Sequence, residues 1–140
     1  MKLSEITRPL PRMKGVHTTV QIKVQDRDIA IELDKHDARL GYEVVLVDAH
    51  KFDKAFQQDT NFYVGPQGAG GIGKRYENFG KWLQDGDSMI ASTVDVLPNG
   101  KAVFTNGRHR YAYLRDQDLT RIPVAMDKQS LENAHKHKLL

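Results

Sequence analysis

The residues of this chain best suited to chemistry are two arginines in the segment Asn106-Gly107-Arg108-His109-Arg110. A strand pattern ends at Thr105, glycine makes a turn, and a helical pattern opens at Arg108 and is expected to run to Gln117. The first amides of a helix lack internal acceptors, and the macrodipole adds partial positive charge there. Arginine meets phosphate oxygens with paired, charge-assisted hydrogen bonds that lysine cannot form. Gly107 lets the backbone approach a ligand closely. The segment is therefore expected to hold phosphate, with Asn106, Gly107, Arg108, His109 and Arg110 as candidate contacts. The plain alternative is that the arginines pair with surface carboxylates and Gly107 only turns the chain.

A second candidate is Gly68-Ala69-Gly70-Gly71-Ile72-Gly73-Lys74-Arg75. It nearly spells the phosphate-binding pattern G-x-x-x-x-G-K-[ST] and also fits G-x-G-x-x-G. Arg75 stands where a hydroxyl residue would ligate Mg²⁺, so P-loop chemistry is not expected. The amides of Gly70, Gly71 and Gly73, with Lys74 and Arg75, are expected instead to fold over a phosphate held by Arg108 and Arg110. A surface loop that touches nothing is the alternative. Glu77 and Asp59 flank this loop and, with His109, are the candidates for acid–base work; the competing roles are a helix-start or surface acid for the carboxylates and packing for the histidine. His135 and His137 are two apart on an expected helix and share no face, so they are read as a solvated tail.

At 140 residues the chain suits one domain with its own core. It has no cysteine, which excludes disulfides, thiolate metal sites and a cysteine nucleophile. No apolar run reaches the roughly 20 residues of a membrane span. Met1 to Glu5 has no apolar stretch behind its charge, so a cytoplasmic protein without a signal peptide is expected. The formal net charge of +3 is modest, so nucleic acid is a partner only through backbone contacts.

The elements that must position these residues read as a small α+β domain. Alternation over Val20, Ile22 and Val24, then Ile29, Ile31 and Leu33, predicts a hairpin around Gln25-Asp26-Arg27. Tyr42 to Val47 suits a central strand, and Asp48 a helix cap before Phe52 and Phe56. Asn61 to Val64 is expected as a short strand. A helix from Lys74 would carry Tyr76, Phe79, Trp82 and Leu83 on one stripe, read as core packing with a base-stacking platform as the alternative. Pro98-Asn99-Gly100 predicts a second hairpin between Thr93 to Leu97 and Lys101 to Thr105. Arg121 to Met126 suits a last strand, with Pro123 at an edge or strand end. Asp127 is expected to cap a helix through His137.

The run NGRHRYAYLRDQDLTRIPVAM, residues 106–126, resembles the signature of the ParB/sulfiredoxin superfamily. Members carry a glycine and arginines opening a helix, then an alanine, a leucine-rich turn and an Ile-Pro-Val strand. Those positions are Gly107, Arg108, His109, Arg110, Ala112, Leu114, Leu119, Ile122, Pro123 and Val124 here. The resemblance implies a ParB/sulfiredoxin-like single domain over residues 17–127, with small mixed sheet, hairpins and flanking helices. An N-terminal arm at 1–16 and a C-terminal helix or tail at 128–140 complete the expected organisation. It also implies a bound nucleotide, CTP as in partition proteins or ATP as in sulfiredoxins and free-serine kinases, with Mg²⁺ and with NTP hydrolysis or phosphotransfer in view. The departures are specific. Partition proteins continue into a helix-turn-helix, whereas residues 128–140 are all that follow Asp127 here, so sequence-specific DNA binding of that kind is not expected. Sulfiredoxin chemistry needs a cysteine. Kinase-like members place an aspartate before the glycine, and Asn106 can neither act as a general base nor bring charge to a metal. Whether the chain is an enzyme therefore stays open. Two alternatives remain: a nucleic-acid-binding or nuclease-like accessory protein using Arg75, Arg108, Arg110 and the basic arm, or a catalytically inert phage or plasmid interaction module.

Overall fold

The computed structural model describes residues 16, 17 and 19–140, so the expected N-terminal arm lies outside the described residues except for its last residue, Val16. Val16–His17 (β1) joins the edge of a five-stranded sheet. Thr19–Val24 (β2) and Arg27–Glu32 (β3) form the expected antiparallel hairpin. Its turn takes positive φ at both Gln25 (52°) and Asp26 (65°). Such primed turns match the right-handed twist of the flanking strands.

Asp34 caps a short helix, Lys35–Arg39 (α1), accepting from the amides of His36 and Asp37. Glu43–Asp48 (β4) follows. Asp48 then accepts from the Lys51 amide at 2.9 Å and starts Ala49–Gln57 (α2), which buries Phe52 and Phe56 as expected. The strand expected at Asn61 to Val64 does not form. The amides of Phe62 and Tyr63 both donate to the Asp59 carbonyl, at 3.1 and 2.9 Å, so the chain turns there instead of extending.

After a 3-10 turn at Pro66–Gly68 comes Arg75–Gln84 (α3), one residue later than expected. Ser88–Ile90 (β5) pairs in parallel with β3, and β2, β3 and β5 make a three-stranded sheet. Arg27 ties that sheet to α3: its guanidinium donates to the carbonyls of Gly86, at 2.8 Å, and Leu83. The Leu83 carbonyl also accepts from the Gly86 amide at 3.1 Å.

Ser92–Val96 (β6) and Ala102–Asn106 (β7) form the second hairpin. Arg108–Arg115 (α4) starts one residue after β7 ends and stops two residues short of the expected Gln117. Arg121–Met126 (β8) is not an edge strand. The order β1-β4-β8-β6-β7 makes it central. Pro123 is tolerated there because the ladder to β6 begins only at Val124, so the missing N–H falls where β8 has β4 alone beside it. Asp127 accepts from the Ser130 amide at 2.8 Å and caps Lys128–Lys136 (α5).

Helix α5 packs along β6. The Val96 amide donates to Ser130 Oγ at 3.0 Å, and Asn133 Nδ2 donates to the Val96 carbonyl at 2.8 Å. The His137 ring is not a free tail: Nε2 lies 2.7 Å from the Pro98 carbonyl. Helices α2 and α4 meet over β7 through Phe52, Phe56, Phe104 and Tyr111, whose ring centroids lie 4.7 to 6.2 Å apart. Rings at these separations bury large apolar areas and prefer tilted or edge-on contacts, which fixes the entry angle of α4.

Candidate functional site

The expected strand–turn–helix junction is present, and its geometry follows from Gly107. That residue adopts a left-handed conformation, φ 80° and ψ 27°, at the N-cap of α4. Its carbonyl accepts from Ser92 Oγ at 2.7 Å and from the Tyr111 amide at 3.0 Å. A Cβ placed here would sit 2.5 Å from Arg110 Nη2 and 2.8 Å from Ser92 Oγ. Glycine is therefore required twice, by the backbone and by the guanidinium folded against it.

Arg108 and Arg110 leave the helix on different sides, as residues two apart must. Arg110 curls back on Gly107 and Ser92. Arg108 lies over the ring of Phe62, with Cζ 5.3 Å from its centroid. Among the described residues neither arginine pairs with a carboxylate. Both Nε atoms are buried and lack a hydrogen-bond partner. Burial also lowers the Arg110 pKa, although arginine stays charged throughout the physiological range.

His109, between them, is turned the other way. It is 7% exposed, and its Nε2 accepts from the Ile72 amide at 3.0 Å. Burial lowers its pKa first, and the neighbouring charges of Arg108 and Arg75 add to the effect. It is thus held neutral, with the remaining ring proton on Nδ1.

The glycine-rich loop does come to the motif, but not as a P-loop. A P-loop follows a strand, and this one follows the turn at Asp59. Much of its backbone is already committed. The amides of Gly68, Ala69 and Gly71 donate within the loop, and Ile72 donates to His109. The amides of Gly70, Gly73 and Lys74 are left without an acceptor among the described residues. Gly71 lies against His109, where a Cβ would fall 3.0 Å from the ring. Arg75 is close enough to act on His109 electrostatically, and its side chain is exposed. Lys74 and Glu77 are exposed, and Asn106 is an exposed strand end. Asp59 is buried at 6% exposure, and its Oδ2 has no hydrogen-bond partner. Trp82, expected in the core stripe, is 56% exposed and stacks on Phe79 instead.

Sequence reasoning missed the network that pins the far end of the loop. Arg115, at the last turn of α4, donates from Nη1 to Asp53 at 3.0 Å and to the Val64 carbonyl at 2.6 Å, and from Nε to Asp116 at 3.0 Å. Asp116 also accepts from the Gln67 amide at 2.8 Å and from the Tyr76 hydroxyl at 2.6 Å. Burial works against the Asp116 charge, but Arg115, Tyr76 and Gln67 together hold its pKa below the usual value. Tyr76 is pushed up, first by burial and then by Asp116.

Among the described residues no group of three or more His, Asp or Glu side chains could hold a metal ion, and no helix is long and apolar enough to cross a membrane.

Among the described residues, fold and site define a small mixed α+β domain of two sheets and five helices, with a glycine loop against His109 at a cationic helix start. No protein-family model and no curated protein matches the chain. The fold is similar to that of the Oncogenic Suppression Activity Protein, a plasmid fertility inhibition factor solved as a gold(I) cyanide derivative. The TM-score is 0.62 and the identity 16%, covering 93% of this chain and 73% of that one. At that identity the likeness concerns the fold alone.

Proposed function

We propose that this chain is a phosphate-binding domain of ParB/sulfiredoxin type, taking a nucleotide such as ATP or CTP at the start of α4. One observation carries the proposal: Arg108 and Arg110, although they leave α4 on different sides, both belong to its first turn, have no carboxylate partner among the described residues and leave their Nε atoms unsatisfied. Unpaired buried donors are costly, and a phosphate supplies the acceptors they lack. The amides of Gly70, Gly73 and Lys74, which have no acceptor among the described residues, and Arg75 are the loop groups proposed to join the ligand. Any Mg²⁺ would be carried mainly by the oxygens of the ligand and water, as is usual for nucleotide-bound magnesium. NTP hydrolysis and phosphotransfer remain part of the proposal without an assigned base: His109 spends its acceptor nitrogen on Ile72, and Glu77 is exposed.

A second setting for the same site is a nucleic-acid-binding accessory protein that uses Arg75, Arg108 and Arg110. A catalytically inert plasmid interaction module is the other alternative, and the fold likeness to a plasmid fertility inhibition factor is compatible with both. Calorimetry with ATP, CTP and GTP, with and without Mg²⁺, tests the first reading. Saturable binding that Arg110→Ala reduces at least tenfold is expected. Binding of an oligonucleotide that falls steeply with salt, with no nucleotide binding, would favour the second.

A further inference from the structure

The turn between α2 and the glycine loop carries two features that the phosphate site does not explain. Phe62 is a large aromatic residue left 51% exposed. Its ring is not loose, because the Arg108 guanidinium covers it with Cζ at 5.3 Å. Its amide is tied to the Asp59 carbonyl at 3.1 Å. Three residues upstream, Asp59 is 6% exposed, and its Oδ2 is buried without any donor. A buried carboxylate oxygen with no partner is a costly arrangement.

From these we infer that the turn Asp59–Tyr63 is a base-reading subsite, in which a nitrogenous ring stacks on Phe62 and presents an N–H donor to the Asp59 carboxylate. The inference rests on the phosphate site proposed above, since Arg108 joins the two. One guanidinium both faces the Phe62 ring and belongs to the helix start, so a ligand seated here has a flat ring attached to a phosphate. The unpaired oxygen narrows the class further. A phenyl phosphate or a phosphotyrosine side chain offers no N–H on its ring system, whereas a nucleobase does. In a nucleotide, cytosine and adenine offer only their exocyclic amine, and guanine offers both an amine and a ring N–H. Base–aromatic stacking is tolerant of sequence because every base has a flat face. Phe62 is thus expected to supply affinity and Asp59 to supply discrimination. A free nucleotide and a single-stranded nucleic acid share this chemistry, a base held beside a phosphate.

Calorimetry on the full chain separates the possibilities. The probes are inorganic tripolyphosphate, ATP, CTP, phenyl phosphate and a single-stranded hexanucleotide. The parent is expected to bind ATP or CTP at least tenfold more tightly than tripolyphosphate, and phenyl phosphate more weakly than either nucleotide. Phe62→Ala should remove most of the nucleotide preference while leaving tripolyphosphate within about twofold; Phe62→Trp should keep the preference. Because Phe62 is half exposed, the alanine variant should retain the parent's thermal midpoint. Asp59→Asn is then compared on ATP and CTP against phenyl phosphate, and a loss confined to the nucleotides supports the carboxylate contact. Tighter binding of the hexanucleotide, equally dependent on Phe62, would assign the subsite to nucleic acid and still support it. The inference is overturned if Phe62→Ala weakens tripolyphosphate and nucleotide alike, or neither. Failure of tripolyphosphate to bind, with Phe62-dependent binding of ATP, would sink the phosphate site and spare the turn. No binding by any probe sinks both.

Discussion

Replacing Arg115 by methionine removes the cation from the network beneath the glycine loop while keeping most of the side-chain volume. The Arg115 side chain is 9% exposed, and those of Asp53 and Asp116 are 16% and 17% exposed. Breaking a buried ion pair by deleting one partner typically costs about 3–5 kcal/mol, because the other charge is left uncompensated. Here two carboxylates lose the same guanidinium, and the Val64 carbonyl loses its donor. Each carboxylate keeps part of its shell, however. Asp53 retains the Tyr63 hydroxyl at 2.9 Å and Gln57 at 3.1 Å, and Asp116 retains Tyr76 and Gln67. The lower end of the range is therefore expected, about 3 kcal/mol, a large share of the roughly 5–15 kcal/mol that holds a domain together. With a urea m-value of about 2 kcal/mol/M, the unfolding midpoint at pH 7 should fall by about 1.5 M. A cycle with Asp53→Asn should show strong coupling, since both changes act on one contact. The sign of the pH dependence follows from Asp116, whose folded pKa lies below its unfolded value of 3.8. Its contribution is full above that value and is lost as pH falls through the folded pKa. The Arg115→Met variant should show less of this acid loss. A midpoint shift under about 0.5 M, or additive single changes, would mean that solvent rather than Arg115 satisfies these carboxylates.

Two further perturbations probe the other end of α4. As pH falls below about 6.5, the unfolded value, the depressed His109 pKa should cost stability until the folded ring also protonates; exchange of the Ile72 amide should then speed up, because Nε2 no longer accepts. His109→Gln should flatten both profiles, and an unchanged Ile72 exchange rate in the parent would refute the contact. Gly107→Ala places a Cβ at φ 80° and 2.5 Å from Arg110 Nη2, so a loss of about 2 kcal/mol in urea unfolding is expected; a loss under about 0.5 kcal/mol would show the guanidinium free to swing away.

What was legible in the sequence was local. The turn at Gln25-Asp26, the caps Asp48 and Asp127, the hairpin across Pro98-Asn99-Gly100 and the helix start at Arg108 are each encoded within a few residues. Contacts spanning long stretches were not. Arg115 meets Asp53 across 62 positions and Tyr76 meets Asp116 across 40, separations at which spacing says nothing about proximity. Strand β5 has three residues and a parallel partner far upstream, so no period could announce it. Asn61 to Val64 has strand-like residues, but the Asp59 carbonyl captures two of its amides first. Pro123 argued for an edge because the pattern cannot show that the neighbouring ladder starts one residue later. Trp82 follows the apolar stripe of α3, yet it lies at its rim, where Phe79 covers only one face.

The loop at 65–74 is fastened to both ends of a single helix, by His109 near the first turn and by Asp116 just after the last. Such a double attachment makes the segment a passenger of α4 rather than an independent flap. An incoming solute that shifted the helix along its axis would strain both fastenings at once, so partial opening at one end is disfavoured and release is all-or-none. Affinity and residence time would then be governed by how readily α4 itself rocks against Phe52 and Phe56.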